Sequence, residues 1–349
     1  MNTEGQPIEE HDASEMSSPP TPPGSTLRSI FNGPHGVRAG WKVLLFFAVV
    51  IAVAFCLTPL ARLGAKMNPK APIPAGVALL HEFIPMLAVL IATGIMAKWV
   101  DRRPWGYFGM PLNNAFRSTF WVGAVVGLGV LALQLEIMHV CGWFDFGSMQ
   151  THGSAILEYG FIWALMFLCV GVTEEATLRG YPQRVTTDGL SVLRGGWSFW
   201  LSAVLFSVIF AAGHIRNPGE NKFGIIMVFV DGLTMCLSLW RTGDLWFAIG
   251  NHAAWDWGET FLFGTPDSGF RGQHALMMPS FHGPALWSGG TDGPEASVLA
   301  LLSEALIFLS IVVIYRRRKF KLIAEEHGEQ QQLLEVNSTE PRVERAPRY

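Results

Sequence analysis

Charge is scarce in this chain. Aspartate, glutamate, lysine and arginine together supply 15% of its 349 residues, where a soluble domain carries about a quarter. The deficit excludes an ordinary solvated surface over most of the length, because the charges gather at the two ends and in short connecting stretches. Lysine and arginine number 25 against 28 acidic residues, a net charge of -3. No polybasic excess is present, which argues against nucleic acid as a partner. Cysteine is rare as well. Cys56, Cys141, Cys169 and Cys236 lie in or at the end of apolar runs, with no Cys-x-x-Cys or Cys-x-x-His spacing. That pattern speaks for inert thiols rather than a disulfide framework or a structural zinc site. The first forty residues have no apolar core before Val43 and are rich in Pro and Ser (SSPPTPPGS at 17–25), so they do not read as a signal peptide. Residues 322–349 are polar and end without a CaaX box, so no prenylation of the chain itself is expected.

What is abundant is apolar surface. Half of the residues are hydrophobic and the mean hydropathy is +0.30. Apolar runs of about 20 residues, the length that crosses roughly 30 Å of hydrocarbon, fall near 43–61, 76–97, 118–139, 157–173, 197–213, 223–240, 244–263 and 297–315. The expected fold is all-α: a polytopic transmembrane helical bundle of about eight spans with disordered polar tails. The expected organisation is a disordered cytoplasmic tail over 1–40, a transmembrane domain over 41–316 and a polar cytoplasmic tail over 317–349. Residues 264–296, rich in Gly and Pro, read as an extramembrane loop. If the N-terminus is cytoplasmic, sixteen Lys and Arg from Arg28 to Lys321 fall on the inner side. Arg62, Lys66, Lys70, Arg216, Lys222 and Arg271 fall on the outer. This bias places both termini in the cytoplasm, and the expected setting is a bacterial inner membrane.

Three polar clusters interrupt the apolar runs. Ionisable groups at membrane depth cost at least about 2.5–3.5 kcal/mol each on insertion scales, so they are functional candidates. The first is Glu174-Glu175-Ala-Thr-Leu-Arg179. Glu175 and Arg179 are four apart and share a helix face, while Glu174 points about 100° away. One carboxylate can thus be anchored as an ion pair while the other serves as a base. The second is Phe210-Ala-Ala-Gly-His214, where small residues admit a close neighbour beside the imidazole. The third is Asn251-His252-Ala-Ala-Trp255-Asp256, where a carboxylate four residues on can orient the ring. Each cluster alone also fits a structural role: a juxtamembrane salt bridge, an interfacial histidine, a helix-joining His–Asp pair. His81-Glu82 is no zincin site, because Pro85 stands where the second histidine belongs. Glu136, His139, Asp231 and Glu304 occur in apolar runs without matching partners and read as structural or lumen-facing.

Taken in order, Glu-Glu-x-x-x-Arg, Phe-x-x-x-His and His-x-x-x-Asp over about residues 157–263 resemble the CPBP family. That family unites type II CAAX-processing endopeptidases with bacterial Abi (bacteriocin self-immunity) proteins. The resemblance implies an intramembrane endopeptidase whose catalytic core spans 157–263 and whose substrates are membrane-embedded or lipidated peptides and proteins. Carried over, it makes Glu174 the general base assisted by His214. His252 and Asp256 bind developing negative charge or position water, and Glu175, Arg179, Phe210 and Asn251 support them. Glu174 and Glu175 are interchangeable on spacing alone. The family more often has Asn where Asp256 stands, and an ionised carboxylate cannot donate as an amide does. The reading favours a metal-independent glutamate mechanism; the alternative is Zn²⁺ held by Glu174, His214 and His252. A lipid- or cytoplasm-facing opening between the three spans is expected. A transporter, or an inactive membrane scaffold or immunity protein, is the competing function.

Overall fold

A computed structural model describes residues 31–33, 36–62, 75–193, 195–217, 221–323 and 325–326. Expectations for residues 1–30 and 327–349, and for the loop with Lys66 and Lys70, lie outside the described residues. Residues 1–38 form a unit separate from 39–349. Its described part is a two-residue antiparallel pairing of Asn32–Gly33 with Gly36–Val37. All that follows concerns the second unit.

Apolar runs in lipid must satisfy every backbone N–H and C=O internally, and the helix is the way a single segment does so. Among the described residues the longer α-helices are α1 (Ala39–Arg62), α2 (Ala75–Ile95), α3 (Ser118–Val140), α4 (Ala155–Glu175), α5 (Tyr181–Gly189), α6 (Trp197–His214), α7 (Lys222–Thr242), α8 (Trp246–Trp257) and α9 (Ala300–Ile314). The ends follow sequence signals. Asn221 caps α7, its Oδ1 accepting from the N–H groups of Phe223 and Gly224 at 2.9 and 3.1 Å, and Gly243 closes it in the left-handed region at φ 79°. Large side chains face outward where lipid would lie: Ile51 is 69% exposed and Phe55 78%. The chain is an integral membrane protein with a polytopic helical bundle.

Six helical stretches, 39–59, 76–101, 118–140, 155–189, 197–214 and 222–242, are long and apolar enough to cross a membrane. Eight were expected, and the last two differ for a physical reason. α8 has only 12 α-helical residues before a π-helical turn, Gly258–Phe263, and Phe247, Ala248 and Ile249 are fully buried by the surrounding helices. Its apolar run thus serves the inside of the bundle rather than a lipid face. α9 has 15 residues, short of a full crossing. The fourth apolar run, by contrast, is longer than expected. A π-helical turn at Ala176–Gly180 joins α4 to α5 into one stretch over 155–189.

α8 is held close to α3 by glycine. A Cβ on Gly123 would stand 2.2 Å from the Phe247 carbonyl oxygen, and one on Gly250 would stand 2.1 Å from that of Phe120. Gly123 and Gly127 form a Gly-x-x-x-Gly pair, the spacing that lets two membrane helices approach at backbone distance. The 264–296 segment is more ordered than a plain loop. Met277–Phe281 pairs antiparallel with Phe144–Met149, with an irregularity between Asp145 and Ser148. At the opposite end of the bundle the chain beyond α9 folds back. Phe320 is buried against Phe199 and Trp240, and Arg184 donates to the Lys321 carbonyl at 2.9 Å and to Glu326 at 3.1 Å.

Candidate active site

The site is assembled on three helices. α4 delivers Glu174 and Glu175 on its last turn, at the junction with the π-helical turn that carries Arg179. Such π turns recur at functional sites. Glu175 is fully buried. Its Oε1 accepts a short hydrogen bond from Arg179 Nη1 and lies 3.2 Å from His252 Nδ1. The guanidinium is buried too and is tied on each side. Nε donates to the Gly232 carbonyl at 3.3 Å, Nη2 stands 3.9 Å from Asp231, and the group lies 4.9 Å from the Phe210 ring centroid. Glu174 is different: its side chain is 34% exposed, and its Oε2 lies 3.6 Å from His252 Nε2.

His252 on α8 is the hub. Nδ1 meets Glu175, while Nε2 faces Asp256 at 3.4 Å and Glu174 at 3.6 Å. The imidazole thus stands among three carboxyl groups, one beside Nδ1 and two facing Nε2. Asp256, buried on the same helix face, stands beside Nε2 and restricts how the ring can turn. His214 closes α6. Its Nδ1 donates to the Phe210 carbonyl at 2.9 Å, which leaves Nε2 as the free acceptor of the neutral ring. The Phe210 ring stands edge-on to both histidines, 4.7 Å from His214 and 6.5 Å from His252.

Glu174, His214, His252 and Asp256 all line one cavity of about 880 Å³. Glu175 and Arg179 stand behind its wall, and Phe210 forms part of that wall. Asn251 also borders the cavity, but its amide points towards α3, where Nδ2 is 3.4 Å from the Gly123 carbonyl. The cavity reaches the end of the bundle that carries Asn217 and Phe270–Gln273. Arg184 and Lys321 are at the opposite end. Two residues read from sequence as structural or lumen-facing, Asp231 and Glu304, line the cavity as well, and so does Glu82. Asp231 carried a usable signal: it is a carboxylate in an apolar span. Only the packing of α7 against the π turn shows that it meets Arg179. Glu136 and His139 stand apart from the cavity; His139 Nδ1 is 2.9 Å from the Phe144 carbonyl.

Zinc held by Glu174, His214 and His252 fits this arrangement poorly. Among the described residues, Glu174, His214 and His252 do not gather into a group with metal-ligand spacing.

Residues 156–258 match the family model of type II CAAX prenyl endopeptidases, Rce1-like. The matched segment begins in α4 and ends at the start of the π turn after α8, so it holds every residue of the glutamate–histidine cluster. It agrees with the CPBP resemblance and implies a protease-type core within the membrane. It covers 103 of the 349 residues; α1 to α3, the strand pair and α9 lie outside it. No curated protein and no solved structure matches the chain.

Proposed function

We propose that the protein is an intramembrane endopeptidase that hydrolyses peptide bonds of membrane-embedded or lipidated substrates with a glutamate-activated water. The observation that carries this reading is the division of labour between two adjacent carboxylates. Glu175 is buried and held by Arg179 and His252, while Glu174 opens onto the cavity and touches the same histidine. Glu174 is therefore the general base and Glu175 the anchor, an assignment that spacing alone leaves open.

In this scheme water lies between Glu174 and His214. Glu174 takes a proton from it as its oxygen adds to the scissile carbonyl carbon, and the carbonyl oxygen becomes an oxyanion. The N–H of His252, oriented by Asp256, donates towards that charge. Donors fixed in a site shielded from water stabilise an oxyanion far better than solvent does. Collapse of the tetrahedral adduct breaks the C–N bond, and Glu174 returns its proton to the leaving amine. The apolar walls, Trp163, Phe167 and Ile209 among them, suit a substrate that is itself apolar next to the cleaved bond. With both termini cytoplasmic, as the basic residues suggest, the mouth at 270–273 faces away from the cytoplasm. A substrate would then enter from the bilayer, the lipid-facing one of the two openings expected from sequence, or from the far side rather than from the cytoplasm.

The test is cleavage of a prenylated CaaX peptide and of a single-span membrane protein by the purified chain in lipid nanodiscs. Glu174→Gln should lose activity by about 10²-fold or more while keeping its melting temperature. Undiminished cleavage by Glu174→Gln would remove the glutamate mechanism.

A further inference from the structure

A second group of acids borders the same cavity as the glutamate–histidine cluster, where the 264–296 segment meets the end of α8. Glu259 on the π turn, Asp267 and Glu295 each offer a carboxylate oxygen, and the three oxygens lie within 4.8 Å of one another. Glu259 is fully buried, and neither of its oxygens has a hydrogen-bond partner. A buried polar atom left without a partner is rare and calls for a ligand. The two other carboxylates are steadied by their neighbours. Thr260 Oγ1 is 3.3 Å from Asp267 Oδ2, and the Ser268 N–H and hydroxyl donate to Glu295 Oε2 at 3.1 and 3.2 Å. Thr265, between Glu259 and Asp267 in the chain, has a buried hydroxyl that is also without a partner. Among the described residues, no lysine or arginine forms an ion pair with any of the three acids.

We infer that Glu259, Asp267 and Glu295 form an all-oxygen site for a calcium-sized divalent cation that fastens the 264–296 segment to the end of α8. The three oxygens lie close enough together to share one ion, and carboxylates carried by a turn and two connecting segments suit the flexible coordination of Ca²⁺ better than the strict octahedron that Mg²⁺ demands. The ligand class follows from the donors, because carboxylates and a hydroxyl without nitrogen or sulfur select hard cations. The ligands come from a helical turn, a loop and the short 3-10 turn Pro294–Ala296, so the ion closes a long loop. Asp267, Ser268 and Glu295 border that cavity, which puts the ion in its wall.

The experiment is metal binding by the full-length purified chain, and it does not depend on peptidase activity. After EDTA treatment and desalting, the protein is titrated with CaCl₂, with MgCl₂ and with KCl at matched ionic strength. Thermal unfolding and bound metal per chain are both measured. Calcium at a hundred-fold excess over its Kd should raise the unfolding midpoint by about 5 °C, with one equivalent bound and a smaller response to magnesium. Glu259→Gln should abolish both effects. Should that variant fail to fold, Asp267→Asn and Glu295→Gln, at partly exposed positions, should each weaken calcium binding at least ten-fold. No calcium-specific shift, or one equivalent of calcium retained in these variants, would overturn the site. A normal calcium response in a chain that cleaves no peptide would leave this site standing and remove only the protease reading.

Discussion

Glu175 Oε1 and His252 Nδ1 lie 3.2 Å apart, although 77 residues separate them in the chain. This contact joins the end of α4 to the middle of α8, and with the Glu175–Arg179 pair it fixes where the imidazole stands. Its consequence is that Glu175 and Glu174, neighbours in sequence, should respond differently to the same substitution.

Glu175→Gln leaves the Arg179 guanidinium buried with only Asp231, at 3.9 Å, as a charged partner. Breaking one side of a buried pair is destabilising by about 3 kcal/mol or more. Thermal unfolding in nanodiscs should show a clear drop for Glu175→Gln and almost none for Glu174→Gln. Equal midpoints for the two variants would mean that Glu175 is not the anchor.

Asp256 Oδ2 stands 3.4 Å from His252 Nε2, and an asparagine in its place keeps a polar oxygen beside the ring. Asp256→Asn should therefore retain at least about a tenth of the cleavage rate. Asp256→Ala, which frees the ring, should fall by about 10²-fold, within the range seen when partners that orient an imidazole are removed. Equal losses in the two variants would contradict an orienting role.

Gly250 lets the backbones of α3 and α8 touch, and His252 is two residues further along α8. Gly250→Ala places a methyl group 2.1 Å from the Phe120 carbonyl oxygen, so the helices must part. We expect a stability loss of about 1–3 kcal/mol and a disproportionate loss of activity. Gly129→Ala on α3, whose Cβ would meet nothing within 4 Å, should be neutral or slightly stabilising. If Gly250→Ala kept full activity, the close approach would not be what positions His252.

Tyr107 lies in the connection between α2 and α3, outside the spanning helices. Its hydroxyl donates to Asp188 Oδ2 at 2.8 Å, and the Arg184 guanidinium stands 3.7 Å from its ring centroid. Burial, and then the charge of Asp188, push the phenol pKa upward. The folded state therefore holds this proton more tightly than the unfolded chain. The associated stability is complete below the unfolded value near pH 10 and is lost as pH rises towards the higher folded value. Tyr107→Phe should be less stable than the wild type by about 1–2 kcal/mol at pH 7, and the gap should narrow above about pH 10. A gap that stays constant to pH 11 would refute the shift.

Much of the architecture was legible from residue type alone. Long uncharged runs have one solution in lipid, so the limits of α1, α3, α6 and α7 follow the hydropathy closely. α8 did not, since an apolar run does not say whether its surroundings are lipid or protein. The Gly123-x-x-x-Gly127 spacing is a trace that such a close neighbour leaves in the sequence, and its meaning shows only once α3 and α8 are seen in contact. The strand pairing of 144–149 with 277–281 left no trace in hydropathy, because two short segments over a hundred residues apart choose each other only once the helices have placed them.

The sequence by itself determined the membrane setting, the helical class and the set of ionisable side chains at membrane depth, because desolvation makes each such residue conspicuous wherever it falls. Tertiary structure alone decided which carboxylate is buried and which is open, that Asp231 meets Arg179, and that Glu259, Asp267 and Glu295 converge. Burial and hydrogen-bond partners are properties of the space between helices, and side-chain spacing along one helix says nothing about what stands opposite.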